Sequence, residues 1–132
     1  MATGEPPLVI ITTNEERSLP DAFLRRCLVL HMGLPKAKEA LIARLVTRAA
    51  AHFEGRREIS FDKEVATKAA ELLWTDRAQA EREHWRPLPG QAEYLDLVRA
   101  VVTLAPDDVT KQAELLDEVA RFALRKHPGA TA

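Results

Sequence analysis

Residues 8–35 read LVIITTNEERSLPDAFLRRCLVLHMGLP, and the reading of the whole chain turns on them. Leu8, Val9, Ile10 and Ile11 form a continuous apolar run without alternation, the pattern of a strand buried on both faces of a parallel sheet. Thr12, Thr13 and Asn14 close that run with polar side chains at its carboxyl end, where open α/β sheets place their ligands. Pro20 and Asp21 then open a short helix of about two turns, in which Ala22, Phe23 and Leu24 are apolar. Leu28, Val29 and Leu30 make a second apolar run, closed by Gly33 and Pro35. The stretch therefore predicts strand, loop, short helix and strand.

In its order of features this stretch resembles the sensor-1 strand and the arginine-bearing segment of an AAA+ ATPase, most closely the MoxR-like group. There an apolar strand ends in a Thr/Ser-Asn pair, here Thr13 and Asn14, and an acidic and basic cluster follows, here Glu15, Glu16 and Arg17. Next comes a leucine-proline-acid-alanine helix ending in arginine and an aromatic or cysteine, here LPDAFLRRC. A strand and a proline then open a helical lid, as LVLHMGLP does here. The likeness is specific over about thirty residues and continues more weakly to about Leu104. It implies a mainly α chain: a short strand–helix–strand remnant of an α/β nucleotide-binding sheet at residues 1–35, followed by a four-helix lid bundle at residues 36–132.

Composition sets the outer limits. The 132 residues suit one compact domain able to bury a core. With 46% hydrophobic and 30% charged residues the balance is that of a globular chain, not a disordered one. Nineteen basic against twenty acidic residues leave a formal charge of −1, so bulk charge favours neither nucleic acid nor an acidic membrane as partner. A local basic face stays open. The single Cys27 has no internal disulfide partner, no apolar run approaches membrane-spanning length, and the first residues lack a signal-peptide pattern. A cytoplasmic location is expected.

Beyond residue 35 the pattern is helical. Leu41, Ile42, Leu45, Val46, Ala49 and Phe53 mark an amphipathic helix over residues 36–53. Ser60 or Asp62 caps a second over residues 62–74, with Val65, Ala66, Ala69, Leu72 and Leu73 on one face. The charged stretch TDRAQAEREH at residues 75–84 prolongs this helix as a solvated arm in preference to forming a mobile connection. WRPLPG at residues 85–90 is a turn. A third helix over residues 91–104 buries Ala92, Leu95, Val98, Ala100, Val101 and Val102, with Tyr94 half-buried. A fourth over residues 107–125 opens at Pro106 and Asp107 and turns Val109, Ala113, Leu116, Val119, Ala120 and Ala123 inward.

The resemblance assigns roles to particular residues. Asn14 falls at the sensor-1 position, which helps orient the water attacking the γ-phosphate; the plainer reading is a turn-forming asparagine. Arg26 is the first candidate for an arginine finger, whose fork of donors neutralises charge on a neighbouring subunit's γ-phosphate, and Arg25 is the second. The plainer reading of both is surface arginine favoured at a helix carboxyl end. Arg17 is a third, weaker candidate for subunit contact. The common Gly-x-Arg of sensor 2 is replaced by Gly90, Gln91 and Ala92, which leaves Arg86 as the remaining nucleotide-contacting candidate.

No Gly-rich loop followed by Lys and Ser/Thr occurs in the sequence, nor does an apolar strand ending in paired acids. Those elements cradle phosphates and hold Mg²⁺. The resemblance therefore implies the carboxyl-terminal part of an ATPase whose intact form uses ATP and Mg²⁺, with no cofactor and no catalysis expected of the chain alone. Neighbouring AAA+ subunits and a protein client are the implied partners, the intact form being a chaperone-like remodelling machine. Self-association through residues 8–11 is a further expectation, because an unpaired apolar strand is a template for another copy.

Other chemistries find little support. His31, His52, His84 and His127 lack ligands at metal-site spacing, and Ser18 and Ser60 lack a base. Cys27 reads as a small buried hydrophobe, and the helices lack the basic recognition helix of a DNA reader. The alternative to an ATPase fragment is a non-catalytic helical module that retains an ATPase remnant and binds a protein partner.

Overall fold

The computed structural model describes residue 4, residues 6–13 and residues 18–125. The chain divides into two compact units, Met1–Met32 and Gly33–Ala132. The described residues are mainly helical, with five helices and no strand.

Among the described residues of the first unit the only regular element is α1, Asp21–Leu24, a single turn where about two were expected. Pro20, at φ −58°, starts it, and the amides of Phe23 and Leu24 donate to the Pro20 carbonyl at 2.9 and 3.1 Å. After Arg25 the amides of Arg26 and Cys27 turn to carbonyls three residues back, Phe23 and Leu24, which tightens and ends the helix. No residue of α1 is buried, so no packing repays the cost of a second turn. The strands expected at residues 8–11 and 28–30 are not formed among the described residues. A strand needs a hydrogen-bonded neighbour, and a lone pair of strands is marginal even when one is present. Cys27 is exposed, contrary to its reading as a buried hydrophobe.

The second unit holds four longer helices. Leu41, Leu45, Ala49 and Phe53 recur every four residues along α2, Lys38–Phe53, and all are buried. The helix ends at Gly55, whose φ of 79° lies in the left-handed region that glycine enters without a Cβ clash. Asp62, not Ser60, caps α3, Lys63–Arg82: its side chain accepts from the amides of Glu64 and Val65 at 2.8 and 3.0 Å.

The arm at residues 75–84 is helical to Arg82, and tertiary contacts hold it there. Ala80 is buried, the Arg125 guanidinium lies 3.1 Å from Asp76, and Arg77 donates to the Pro89 carbonyl at 2.9 Å. The helix closes with a pair of reverse bonds, Trp85 N to Ala80 O at 2.8 Å and His84 N to Glu81 O at 3.3 Å. That closure puts His84 at φ 58°, a position glycine normally takes.

Helix α4, Gln91–Leu104, buries Tyr94, Leu97, Val98, Val101 and Val102. Tyr94 is fully buried instead of half-buried, Leu97 joins the core unforeseen, and Ala92 is exposed. Asp108 caps α5, Val109–Ala123, by accepting from the Lys111 amide at 2.9 Å, so this helix starts later than the expected residue 107. Helix α3 packs on α2, α4 and α5, while α4 packs on α5 and touches α2; α2 and α5 do not meet. The core between them is centred on Leu41, Leu45, Leu73, Tyr94, Leu97 and Leu116.

Two buried polar side chains tie the layers. Tyr94 Oη donates to the Ala66 carbonyl on α3 at 3.1 Å. Gln112, fully buried, donates from Nε2 to the Ser60 and Ala105 carbonyls at 2.9 and 2.8 Å. Ser60 N in turn donates to the Pro106 carbonyl, so the α2–α3 and α4–α5 connections are joined edge to edge. Among the described residues no helix is long and apolar enough to cross a membrane.

His84→Gly should raise stability by about 1 kcal/mol, because it relieves a left-handed side chain at a site made for glycine. A urea midpoint that stays put or falls would contradict this. Burial pushes the Tyr94 phenol well above its ordinary value of 10.0. The unfolded chain therefore loses the phenolic proton first, and the Tyr94 contribution, complete below pH 10, drains away as pH rises beyond it. Because Tyr94 is the only tyrosine, phenolate absorbance reports it alone. Phenolate should appear only together with loss of helix, and Tyr94→Phe should show a shallower alkaline decline.

Candidate functional site: the arginine segment and the α4 entrance

The arginine segment is built by α1. Its one turn carries Arg25 and Arg26 to the carboxyl end, Arg25 still in helical geometry at φ −62°, ψ −16°, and both side chains are exposed. Among the described residues neither guanidinium makes an ion pair. A four-residue helix has too few aligned peptides for a strong dipole, so the helix end alone gives little reason for two adjacent arginines. Their charges are available to an anion brought from elsewhere. Asn14 and Arg17 lie outside the described residues. Leu8, Val9, Ile10 and Ile11 before the segment, and Leu28, Val29, Leu30 and Met32 after it, stand exposed.

The second candidate region is the entrance to α4 in the helical unit. Arg86 is exposed, follows the half-buried Trp85, and donates from Nη1 to the Trp85 carbonyl at 3.1 Å; the Arg86–Pro87 peptide is cis. The first turn of α4 is closed by its own acid, since Glu93 Oε2 accepts from Gly90 N at 2.9 Å. A carboxylate held there competes with any phosphate for that helix start. Ala92, in the first turn of α4, supplies no cation. Arg77 is committed to the Pro89 carbonyl and lies 3.8 Å from Glu81, so it braces the turn from below.

Arg25 and Arg26 are thus neighbours on one turn of the first unit, while Arg86 belongs to the second. Among the described residues no group of three His, Cys, Asp or Glu side chains could hold a metal ion.

One surface was missed in the sequence. Along the outer side of α2 a shallow depression of about 360 Å³ is lined by Ala43, Arg44, Thr47, Arg48 and Ala51. Arg44 Nη1 is fixed on the Gly33 carbonyl at 3.0 Å. The signal was present as two arginines four residues apart on the polar side of an amphipathic helix.

Comparison with family models, with curated proteins and with solved structures finds no match for this chain.

The two arginines at the α4 entrance should respond differently to truncation. Arg77→Ala leaves the Pro89 carbonyl without its donor in a part-buried turn and should cost about 1–2 kcal/mol. Arg86→Ala, which loses only a contact to its own neighbour, should stay within about 0.5 kcal/mol of the parent. Equal losses in thermal melts would mean that Arg86 has a structural role after all.

Proposed function

We propose that the chain is the carboxyl-terminal portion of a MoxR-like AAA+ ATPase. It supplies Arg26, with Arg25 beside it, as the finger on a neighbouring subunit's γ-phosphate, and Asn14 as the sensor-1 residue. The observation that carries this reading is the segment around α1. Two arginines that make no ion pair among the described residues, displayed on one turn, sit between apolar runs that bear large side chains on consecutive residues. Consecutive apolar residues suit interior strands covered on both faces, and the present chain offers them no such cover. A sheet completed by a phosphate-loop half would pair those strands and fix the arginines between rigid elements, as positioning of a transferred phosphoryl group requires.

The four-helix unit then acts as the lid. Its α4 start, occupied by Glu93 and lacking a cation at Ala92, gives it a reduced part in nucleotide sensing, with Arg86 the one exposed guanidinium in that turn. ATP and Mg²⁺ are bound by the intact machine, which remodels a protein client; the chain alone is inactive. One observation favours the alternative, a non-catalytic interaction module: the core of the helical unit is composed wholly of its own side chains.

The test supplies the chain in trans to an AAA+ half that carries a phosphate loop and lacks these segments. The chain alone should show no ATP turnover above background. The reconstituted pair should hydrolyse ATP, and Arg26→Ala should lower that turnover by roughly a thousandfold. Asn14→Ala should lower it as well. A pair that associates without turnover points to the interaction module. Turnover indifferent to both substitutions, or micromolar ATP binding by the chain alone in calorimetry, overturns the ATPase reading.

A further inference from the structure

The outward side of α2 is unlike that of an ordinary surface helix. Ala40, Ala43, Thr47 and Ala51 are exposed on it, so its most solvent-facing line carries no long side chain. Along that line runs the shallow depression of about 360 Å³ lined by Ala43, Arg44, Thr47, Arg48 and Ala51. Arg44 and Arg48 stand one turn apart on one border, and the half-buried Ile42 and Val46 stand one turn apart on the other.

The charge on this side has one prevailing sign. Between residues 33 and 57 there are six Lys or Arg against two acids. Glu54 is matched by Lys63 at 3.7 Å, and Glu39 lies in the first turn, where a carboxylate suits the helix start. Arg44 is steadied by its bond to the Gly33 carbonyl at 3.0 Å, which leaves its other guanidinium hydrogens for a second acceptor. Arg48 is exposed and makes no ion pair among the described residues.

We propose that this side of α2 docks an amphipathic acidic helix of a partner protein. The apolar residues of that helix lie on Ile42 and Val46, and its backbone comes close over Ala43, Thr47 and Ala51. Two of its carboxylates, one turn apart, pair with Arg44 and Arg48. Side chains four residues apart form ridges that fit the grooves of another helix, and small residues in the groove shorten the approach. Carboxylates at that spacing match the two guanidinia, whose planar forks can take them bidentately. A second copy does not supply such a helix: α3 has four acids against four bases, α4 two against one and α5 three against two. Nucleic acid fits less well, because the outward line offers neither cations nor aromatic rings on which bases stack. The contact rests on α2 and does not depend on the ATPase reading.

The full chain is titrated with a dye-labelled synthetic helix of about four turns, long enough to be helical in water. It carries leucines along one face and two glutamates one turn apart beside them. Fluorescence anisotropy reads binding, and backbone amide NMR shifts read its place. The expected result is saturable binding at low salt, with shifts confined to α2, that weakens at about 1 M salt, where the screening length is about 3 Å. Arg48→Glu should weaken it by about tenfold, and a peptide with lysines in place of the glutamates should recover affinity for that variant. Ala43→Gln, which sets a long neutral side chain on the floor, should weaken it with no loss of helix. Absence of saturable binding at about 1 mM peptide overturns the proposal. So does equal binding of a peptide with glutamines in place of the glutamates, or shifts on α5 around Phe122. A single-stranded oligonucleotide that binds α2 more tightly than the peptide assigns the face to nucleic acid and overturns it. Shifts on α2 that grow with chain concentration alone assign it to a second copy and overturn it equally.

Discussion

The helical unit depends on the closure of its two inter-helix connections by one buried amide. Gln112 sits on α5 with no solvent exposure, and its two amide hydrogens satisfy the Ser60 carbonyl between α2 and α3 and the Ala105 carbonyl after α4. Without that donor the buried Ala105 carbonyl would lose a partner at a cost of about 1–3 kcal/mol, and the part-buried Ser60 carbonyl would lose one at a smaller cost. The Gln112 Oε1 is itself buried without a hydrogen bond. Two satisfied carbonyls outweigh one desolvated amide oxygen. With Ser60 N on the Pro106 carbonyl, this clamp holds the α2–α3 connection against the α4–α5 connection. Four helices whose apolar faces could slide along one another are thereby given one register.

That register explains how α3 can be so long. Its second half carries a run of charge that would fray if left in water. Instead Asp76 is matched by Arg125 from beyond α5, and Arg77 reaches back to the turn before α4. Ala80 is buried, and the closing bonds at His84 and Trp85 turn the chain directly into the next segment. The first half of the arm is thus part of the bundle, tied through Asp76 and Arg77, while residues 81–84 stay exposed. The same packing keeps α2 and α5 apart, each set against α3 and α4.

The first unit stands under a different constraint. Its apolar runs have no alternation, so no arrangement with one wet face suits them. Backbone groups of a strand are satisfied laterally, by a neighbour, whereas a helix satisfies its own. The helical unit therefore satisfies its own backbone, while the apolar runs at residues 8–11 and 28–30 form no strand and stand exposed.

The four long helices were legible in the sequence because helix formation is local: the four-residue recurrence from Leu41 to Phe53, the turn at residues 85–90 and the Asp62 cap act within a few residues of themselves, whereas the cap of α5 fell on Asp108, one residue past the expected Asp107. The apolar character of residues 8–11 and 28–30 was equally plain, and so were the adjacent Arg25 and Arg26. Tertiary structure alone decided the rest. Gln112 reads as a surface residue until two carbonyls, one of them 52 residues away, claim its hydrogens. Tyr94 reads as half-buried until Ala66, 28 residues earlier, accepts its hydroxyl. The arm at residues 75–84 read as solvated until Arg125 and Pro89 came to meet it. The strands failed to appear for the same reason in reverse: sequence states that a segment suits a sheet, but only a partner in space can make it a strand.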